Sequence, residues 1–298
     1  MRITLNGTLG SGKSTIGKLL AARLGIPYIS TGQMFREIGH ISNLDALQVN
    51  LEAESNTAID EAVDKKVQAL NSSNEDFVLD SRMAWHFVKN AVHIFLSVSP
   101  EDAAERVMSD RARFNEQYAS KTDAMKSLLE RRESENRRYS KLYRVDIENI
   151  SNYDLHVITD DASVEDIVEL ALHFIHQRTN HKTWIAKQRL VPMITIRDAS
   201  GITFATRTTL SDKFSLPVCI DDNFGFFFHG APELIRAFYY ELNLIPYRNE
   251  LPEFLNSRKY DVVQTAREAL KPSDLYDWEE IFGVKLSFTR ELIKKQYQ

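Results

Sequence analysis

Ile3-Thr4-Leu5-Asn6-Gly7-Thr8-Leu9-Gly10-Ser11-Gly12-Lys13-Ser14 is the stretch that decides the fold. Ile3–Asn6 is a short strand signal, and Gly7 to Ser14 fills the pattern G-x-x-x-x-G-K-[ST]. The residues that follow, to about Arg23, read as a helix ending at Gly25. A strand that passes through a glycine loop into a helix start turns backbone N–H groups toward one point. Glycines keep Cβ atoms out of the way, and the helix end adds unpaired donors and a positive dipole end. Such a nest cradles the phosphates of a nucleoside triphosphate. The expected contacts are Gly7, Thr8, Leu9, Gly10, Ser11, Gly12, Lys13, Ser14 and Thr15. Lys13 reaches the β- and γ-phosphates, and Ser14 offers its hydroxyl to Mg²⁺. A plain glycine turn between strand and helix is the structural alternative.

Outward from the loop, short apolar runs alternate with helical patterns, the rhythm of a parallel sheet with crossover helices. Strands are expected at Tyr28–Ser30, Phe77–Asp80, Val92–Val98 and Leu155–Thr159. A mostly helical stretch runs from Ser42 to Asn71. Ser99-Pro100-Glu101-Asp102 and Ser163-Val164-Glu165-Asp166 read as helix caps, the first with Pro at the first helical position. The helix from Ser163 ends near Gln177-Arg178-Thr179-Asn180, which sets the expected boundary between a domain at 1–178 and a second at 183–298. Beyond it, Val191–Arg197 and Ile202–Arg207 read as a hairpin and Leu216–Ile220 as a strand. Helices are expected at Pro232–Leu242, Val262–Leu270, Asp274–Phe282 and near Ser287–Lys295. The expected class is therefore α/β, with a central parallel sheet and helices on both faces, plus a smaller C-terminal α+β domain.

Composition narrows the class. The chain has 298 residues, 43% hydrophobic and 27% charged, with 11 Gly and 8 Pro, which excludes collagen-like and low-complexity character. One cysteine, Cys219, cannot form an internal disulfide and points to a reducing, cytoplasmic setting. No apolar run approaches the ~18 residues of a membrane span. The net charge of -5 gives no strong nucleic-acid signal. The charge is uneven, however. Residues 1–178 carry 21 basic and 27 acidic side chains, yet Arg106 to Arg144 holds 11 basic against 6 acidic.

That basic island suggests the second half of a site. Glu130-Arg131-Arg132-Glu133-Ser134-Glu135-Asn136-Arg137-Arg138-Tyr139 puts Arg131 and Arg138 two helical turns apart on one face. Arginines on a mobile lid would complete a phosphoryl-transfer site when both substrates are bound. The alternative is an ordinary surface helix, since Glu130, Glu133 and Glu135 interleave with the arginines. Arg36, one turn into the helix opened by Ser30-Thr31-Gly32, can grip a phosphate bidentately or sit in solvent. Asp80 ends the third strand beside the loop, placed to orient Mg²⁺ or its waters, or to cap the next helix.

Taken together, the phosphate loop, Ser30-Thr31-Gly32-Gln33-Met34-Phe35-Arg36, Leu79-Asp80-Ser81-Arg82-Met83-Ala84, the lid string above and Asn152-Tyr153-Asp154-Leu155-His156-Val157-Ile158-Thr159 resemble a cytidylate kinase of the compact archaeal type. The resemblance covers roughly residues 1–178. It implies a P-loop kinase fold and a Mg²⁺-dependent phosphoryl transfer from ATP to CMP or dCMP. By it, Lys13, Arg131 and Arg138 stabilise the transferring group. Arg36 and Arg82, with Thr31 and Gly32, hold the acceptor nucleoside monophosphate, and Asp80 with Ser14 serves the metal. Many bacterial members carry Gly-Arg-Asp where this chain has Asp80-Ser81-Arg82, so the base preference is less fixed than the reaction.

The last third resembles no named family. Asp221-Asp222-Asn223-Phe224-Gly225-Phe226-Phe227-Phe228-His229 reads as a turn entering a buried aromatic strand. A metal site at Asp221, Asp222 and His229, or an exposed interface patch at the phenylalanines, is the rival. Cys219 reads as a buried small hydrophobe. The module is open to oligomerisation, a protein partner, regulation or recognition of a different acceptor. Two rival functions follow: a P-loop kinase whose acceptor is selected by that module, or a nucleotide-gated regulatory protein.

Overall fold

The computed structural model describes residues 1–33, 58–110, 118–177, 182–193, 216–221, 223–228, 238, 244–249 and 262–296. The chain divides into two compact units, Met1–Val157 and Ile158–Gln298. The sequence boundary near residue 178 falls one helix later, because the helix Val164–Gln177 counts with the second unit and packs against a strand of it.

The first unit contains β1 (Arg2–Gly7), α1 (Lys13–Leu24), β2 (Tyr28–Ser30), α2 (Ala58–Ser72), β3 (Phe77–Asp80), α3 (Ala84–Phe87), β4 (Val92–Ser97), α4 (Pro100–Ser109) and α5 (Lys121–Tyr143). β5 (Leu155–Ile158) closes it, its last residue Ile158 being counted in the second unit. The strand order is β2-β3-β1-β4-β5. β2–β3, β3–β1 and β1–β4 are parallel, with Tyr28 opposite Val78, Arg2 opposite Phe77 and Ile3 opposite Val92. Ile3, Leu5, Phe77, Val78 and Leu79 are all buried, as a sheet covered on its faces requires of near-continuous apolar strands. Parallel running brings the carboxyl ends Gly7, Ser30 and Asp80 to one edge, where open α/β sheets bind ligands.

Local chemistry sets the helix ends. α1 stops at Gly25, whose left-handed φ of 66° lets its N–H close on Ala21 and Ala22. α4 starts as the sequence predicts, with Ser99 Oγ accepting from the Asp102 N–H and Pro100 in the first turn. α5 starts at Ser120, whose Oγ accepts from the Asp123 N–H at 3.1 Å. Its first half packs Ala124 and Leu128 against Ala103, Ala104 and Val107 of α4. Its second half packs Tyr139 with Met83 and Ile147.

The second unit contains α6 (Val164–Gln177), β6 (Thr183–Ala186), β7 (Leu190–Pro192), β8 (Leu216–Asp221), β9 (Phe224–Phe227), β10 (Leu244–Asn249), α7 (Val262–Ala269), α8 (Pro272–Phe282) and α9 (Ser287–Gln296). Its strands follow the order β6-β10-β8-β9-β7 with mixed directions: β10 is antiparallel to β6 and parallel to β8, and β9 is antiparallel to β8 and parallel to β7. The parallel rhythm is gone, as the sequence predicts for an α+β module. Phe226, Phe227, Trp278 and Phe288 form the centre of its core. The aromatic string is a buried strand, so it offers no exposed phenylalanine patch at Phe224, Phe226 or Phe227, and Cys219 is buried, as the sequence predicts. Of the expected hairpin, β7 is described; residues 194–215 lie outside the described residues, as do Asp222, His229 and all of the 232–242 helix but Phe238. β6, β9's full pairing and β10 are additions that the sequence does not signal. No described helix is long and apolar enough to cross a membrane.

Candidate active site

At the carboxyl edge of the first sheet lies an open cleft, lined from the loop by Leu9, Gly10, Lys13 and Ser14, from the end of β2 and beyond by Ser30, Thr31 and Gly32, and from the end of β3 and beyond by Asp80, Ser81 and Arg82. α5 closes it with Arg131, Glu135, Arg138 and Tyr139. Eight positions picked from the sequence thus meet around one space: Leu9, Gly10, Lys13, Ser14, Thr31, Gly32, Asp80 and Arg82 on the sheet side. Arg131 and Arg138 join them from 50 residues on. Gly7, Thr8, Ser11, Gly12 and Thr15 build the loop and the first turn of α1 around them. Arg36 lies outside the described residues.

The loop shape demands glycine at Gly10. Its φ is 78°, and a Cβ there would stand 2.8 Å from the Ala103 Cα. Lys13 Nζ donates to the carbonyl oxygens of Gly7 and Thr8 at 3.0 and 3.1 Å, which holds the ammonium at the loop. Thr8 pins the loop to β4: its N–H donates to Leu96 O at 2.9 Å and its Oγ1 accepts from the Val98 N–H at 3.0 Å.

Asp80 is anchored from two sides. Ser14 Oγ and Tyr28 OH both donate to its Oδ2 at 3.0 Å, and Thr31 Oγ1 donates to its backbone oxygen at 3.3 Å. Burial, and then the Asp80 charge, push the Tyr28 hydroxyl up to about 12, so it stays a donor. Tyr28 reaches this place because Gly17 has no side chain: a Cβ on Gly17 would lie 2.7 Å from the Tyr28 ring. The Ser14 hydroxyl and the Asp80 carboxylate are hard oxygen donors 3.0 Å apart, a set that fits Mg²⁺ shared with phosphate oxygens. Among the described residues no group of three or more His, Cys, Asp or Glu could hold a metal on its own.

The arginines are organised by a residue that sequence reasoning passed over. Glu135 accepts from Arg82 Nε at 2.7 Å and from Arg131 Nε at 3.2 Å. Burial would raise its carboxyl, but Arg82, Arg131, Arg138 and Lys13 outweigh that and hold it down at about 2. Arg82 also donates to Asn6 Oδ1 at 3.4 Å and to Gly7 O, which ties β3 to the loop. Arg138 Nε lies 2.9 Å from Asp60 Oδ2, and its guanidinium sits 5.0 Å from the centre of the Tyr139 ring. The two readings of α5 therefore describe its two faces. Arg137–Glu133 and Lys126–Glu130 are exposed surface pairs at 3.6 and 3.9 Å, whereas Arg131, Glu135 and Arg138 turn inward. The signal available in the sequence was spacing: Glu135 stands four residues after Arg131 and three before Arg138, on their face.

Comparison with known proteins agrees with this geometry. A model of the cytidylate kinase-like family matches residues 2–161. The protein is similar to the cytidylate kinase of Sulfurisphaera tokodaii, 31% identical over 187 residues, which cover 61% of this chain and 100% of that protein. It is 32% identical to the cytidylate kinase of Methanosphaera stadtmanae over 170 residues, 57% of this chain and 95% of that protein. It is also 30% identical over 183 residues to a protein of Lacinutrix mariniflava named S-adenosylmethionine-dependent nucleotide dehydratase, covering 60% of this chain and 36% of that longer one. The matched region takes in every residue of the cleft, and the chain belongs to the cytidylate kinase-like family.

Proposed function

We propose that this family member, an ATP-dependent nucleoside monophosphate kinase, has CMP or dCMP as its acceptor. The observation that carries the reading is the facing of Lys13 and Ser14 on the loop by Arg82, Arg131 and Arg138 across one cleft. A phosphate oxygen of the monophosphate attacks the γ-phosphorus of ATP, the bond from that phosphorus to the ADP oxygen breaks, and a nucleoside diphosphate and ADP leave. The chain's part is positioning and charge stabilisation. Lys13 takes the β/γ-phosphates, Arg131 and Arg138 take charge on the transferring group, and Thr31, Gly32, Arg36 and Arg82 hold the acceptor. Ser14 and Asp80 would hold Mg²⁺, which would supply positive charge to offset that of the phosphates. The identity of the acceptor base is supported by the names of the relatives above.

The test is ADP release from ATP and Mg²⁺ with each nucleoside and deoxynucleoside monophosphate in turn. Selective turnover of CMP and dCMP is expected. ATP hydrolysis that no monophosphate stimulates would sink the kinase reading, and turnover of another monophosphate would replace the base. The proposal also makes residues 1–178 sufficient for the reaction and residues 183–298 an appended module. A chain ending at residue 178 is expected to be active; it keeps α6 without the strand that α6 packs against, and an insoluble product refutes the division at 178 in favour of one before α6.

A further inference from the structure

We propose that Asp60 is a positioning residue for phosphoryl transfer, acting from α2 to aim the Arg138 guanidinium at the cleft. Three observations carry this, and it rests on the kinase reading above. The first is the pair itself. Asp60 Oδ2 stands 2.9 Å from Arg138 Nε, and the two side chains are 2% and 3% exposed. The contact is a buried ion pair on the Nε side of the guanidinium.

The second is where each partner faces. Arg138 lines the cleft beside Arg131, Glu135 and Tyr139, while Asp60 does not. Asp60 therefore reaches the site through Arg138. The third is the support behind it. Asp64, one turn further along α2, accepts from Tyr143 OH on α5, so α2 and α5 are joined at two levels. Tyr139 stacks under the guanidinium and restricts its tilt. An arginine that serves transferring phosphates must be held before they arrive, and a carboxylate on its Nε side fixes the plane of the fork.

The charge on Asp60 is conditional. Burial pushes its carboxyl up to about 6; Arg138 opposes the rise, and Asp64 and Glu135 add to it. Burial likewise raises Asp64. Among the described residues, the charged and titratable groups facing Asp60 are thus Arg138, Glu135, Tyr139 and Tyr143 on α5 and Asp64 on its own helix. Protonation of Asp60 below about pH 6 removes the charge that aims Arg138.

The experiment uses the full chain as wild type, Asp60→Asn, Asp60→Glu, Arg138→Met and the double variant D60N/R138M. ADP release with the preferred monophosphate is followed from about pH 5 to 8.5. Asp60→Asn is expected to lower kcat by about 10- to 10²-fold, the scale of a misplaced catalytic group. KM for ATP should stay within about twofold, because the loop is untouched. The fall in rate through pH 6 should flatten in Asp60→Asn. In the Arg138→Met background, Asp60→Asn should change kcat by less than about twofold, since the two act as one unit. An Asp60→Asn enzyme with wild-type kcat, or one that loses as much in the Arg138→Met background, overturns the proposal. If Asp60→Asn fails to fold, Asp60→Glu carries the test: it keeps the charge and displaces it, and an unaltered kcat is the refuting result. A wild type that turns over no monophosphate overturns the kinase reading and this inference with it. An active wild type beside an unaltered variant overturns this inference alone.

Discussion

Replacing Glu135 by Gln removes one charge from the centre of the cleft and little volume. Glu135 is 7% exposed and takes Arg82 and Arg131 at 2.7 and 3.2 Å. Its carboxyl lies at about 2 against an ordinary 4.5. Held that far down by its arginines, the carboxylate contributes on the order of 3 kcal/mol of stability at neutral pH. Breaking a buried pair by removing one partner costs about 3–5 kcal/mol, which agrees. The sign follows from the direction of the shift. A depressed carboxyl stabilises the fold fully above its unfolded value and loses that contribution as pH falls toward about 2. The Glu135→Gln variant should therefore be about 3 kcal/mol less stable at pH 7 and equally so at pH 5, and the gap should narrow below about pH 4.5. Amide hydrogen exchange of β1 and β3 under native conditions reads this for the first unit alone. A gap under about 1 kcal/mol at pH 7, or one that does not shrink on acidification, would refute the assignment of Glu135 as the counter-charge of two arginines.

Lys13→Ala and Arg131→Ala should each lower kcat by at least about 10²-fold with the fold intact; wild-type turnover in Arg131→Ala would return α5 to an ordinary surface helix. Tyr28→Phe removes one of the two hydroxyl donors to the Asp80 carboxylate, at about 0.5–1.5 kcal/mol. Its expected readout is a roughly 3- to 10-fold rise in the Mg²⁺ needed to tighten binding of a fluorescent ADP analogue, with no change in the absence of Mg²⁺. Gly17→Ala drives a Cβ to 2.7 Å from the Tyr28 ring and 2.8 Å from Leu5 Cδ1, so urea unfolding should show a loss of about 1–3 kcal/mol, the cost of overpacking.

The loop was legible because its reason is local. Gly7, Gly10 and Gly12 carry positive φ, and the strand before and helix after them follow from a few neighbours. Asp80 was legible for a similar reason: it ends an apolar run, and the end of a run in a parallel sheet is an address. Glu135 was not. Glu130, Glu133 and Glu135 look alike along the chain, and only the packing of Ala124, Leu128 and Tyr139 decides which of them turns inward. Asp60 stands 78 residues from Arg138, a pairing that local spacing cannot encode. Tyr28 reads as a strand residue until Gly17 opens the space beside it. In the second unit, β6 and β10 pair across about 60 residues, so their register depends on partners rather than on alternation within each strand.

α5 is fastened near both ends of its inward face, by Ala124 and Leu128 to α4 and by Tyr139 to Met83 and Ile147. The helix is unbroken over its 23 residues, Lys121–Tyr143, and so between these fastenings. Arg131 therefore has no joint of its own and travels only as a point on a rod. From Tyr139 to Arg131 the lever arm is about 12 Å, at 1.5 Å per residue, so a swing of about 10° about the Tyr139 end carries Arg131 by about 2 Å. Arg138, one residue from the pivot, barely moves in the same swing. The two arginines thus differ in leverage: in such a swing Arg138 would keep its place, and Arg131 would move together with α4, on which Leu128 packs.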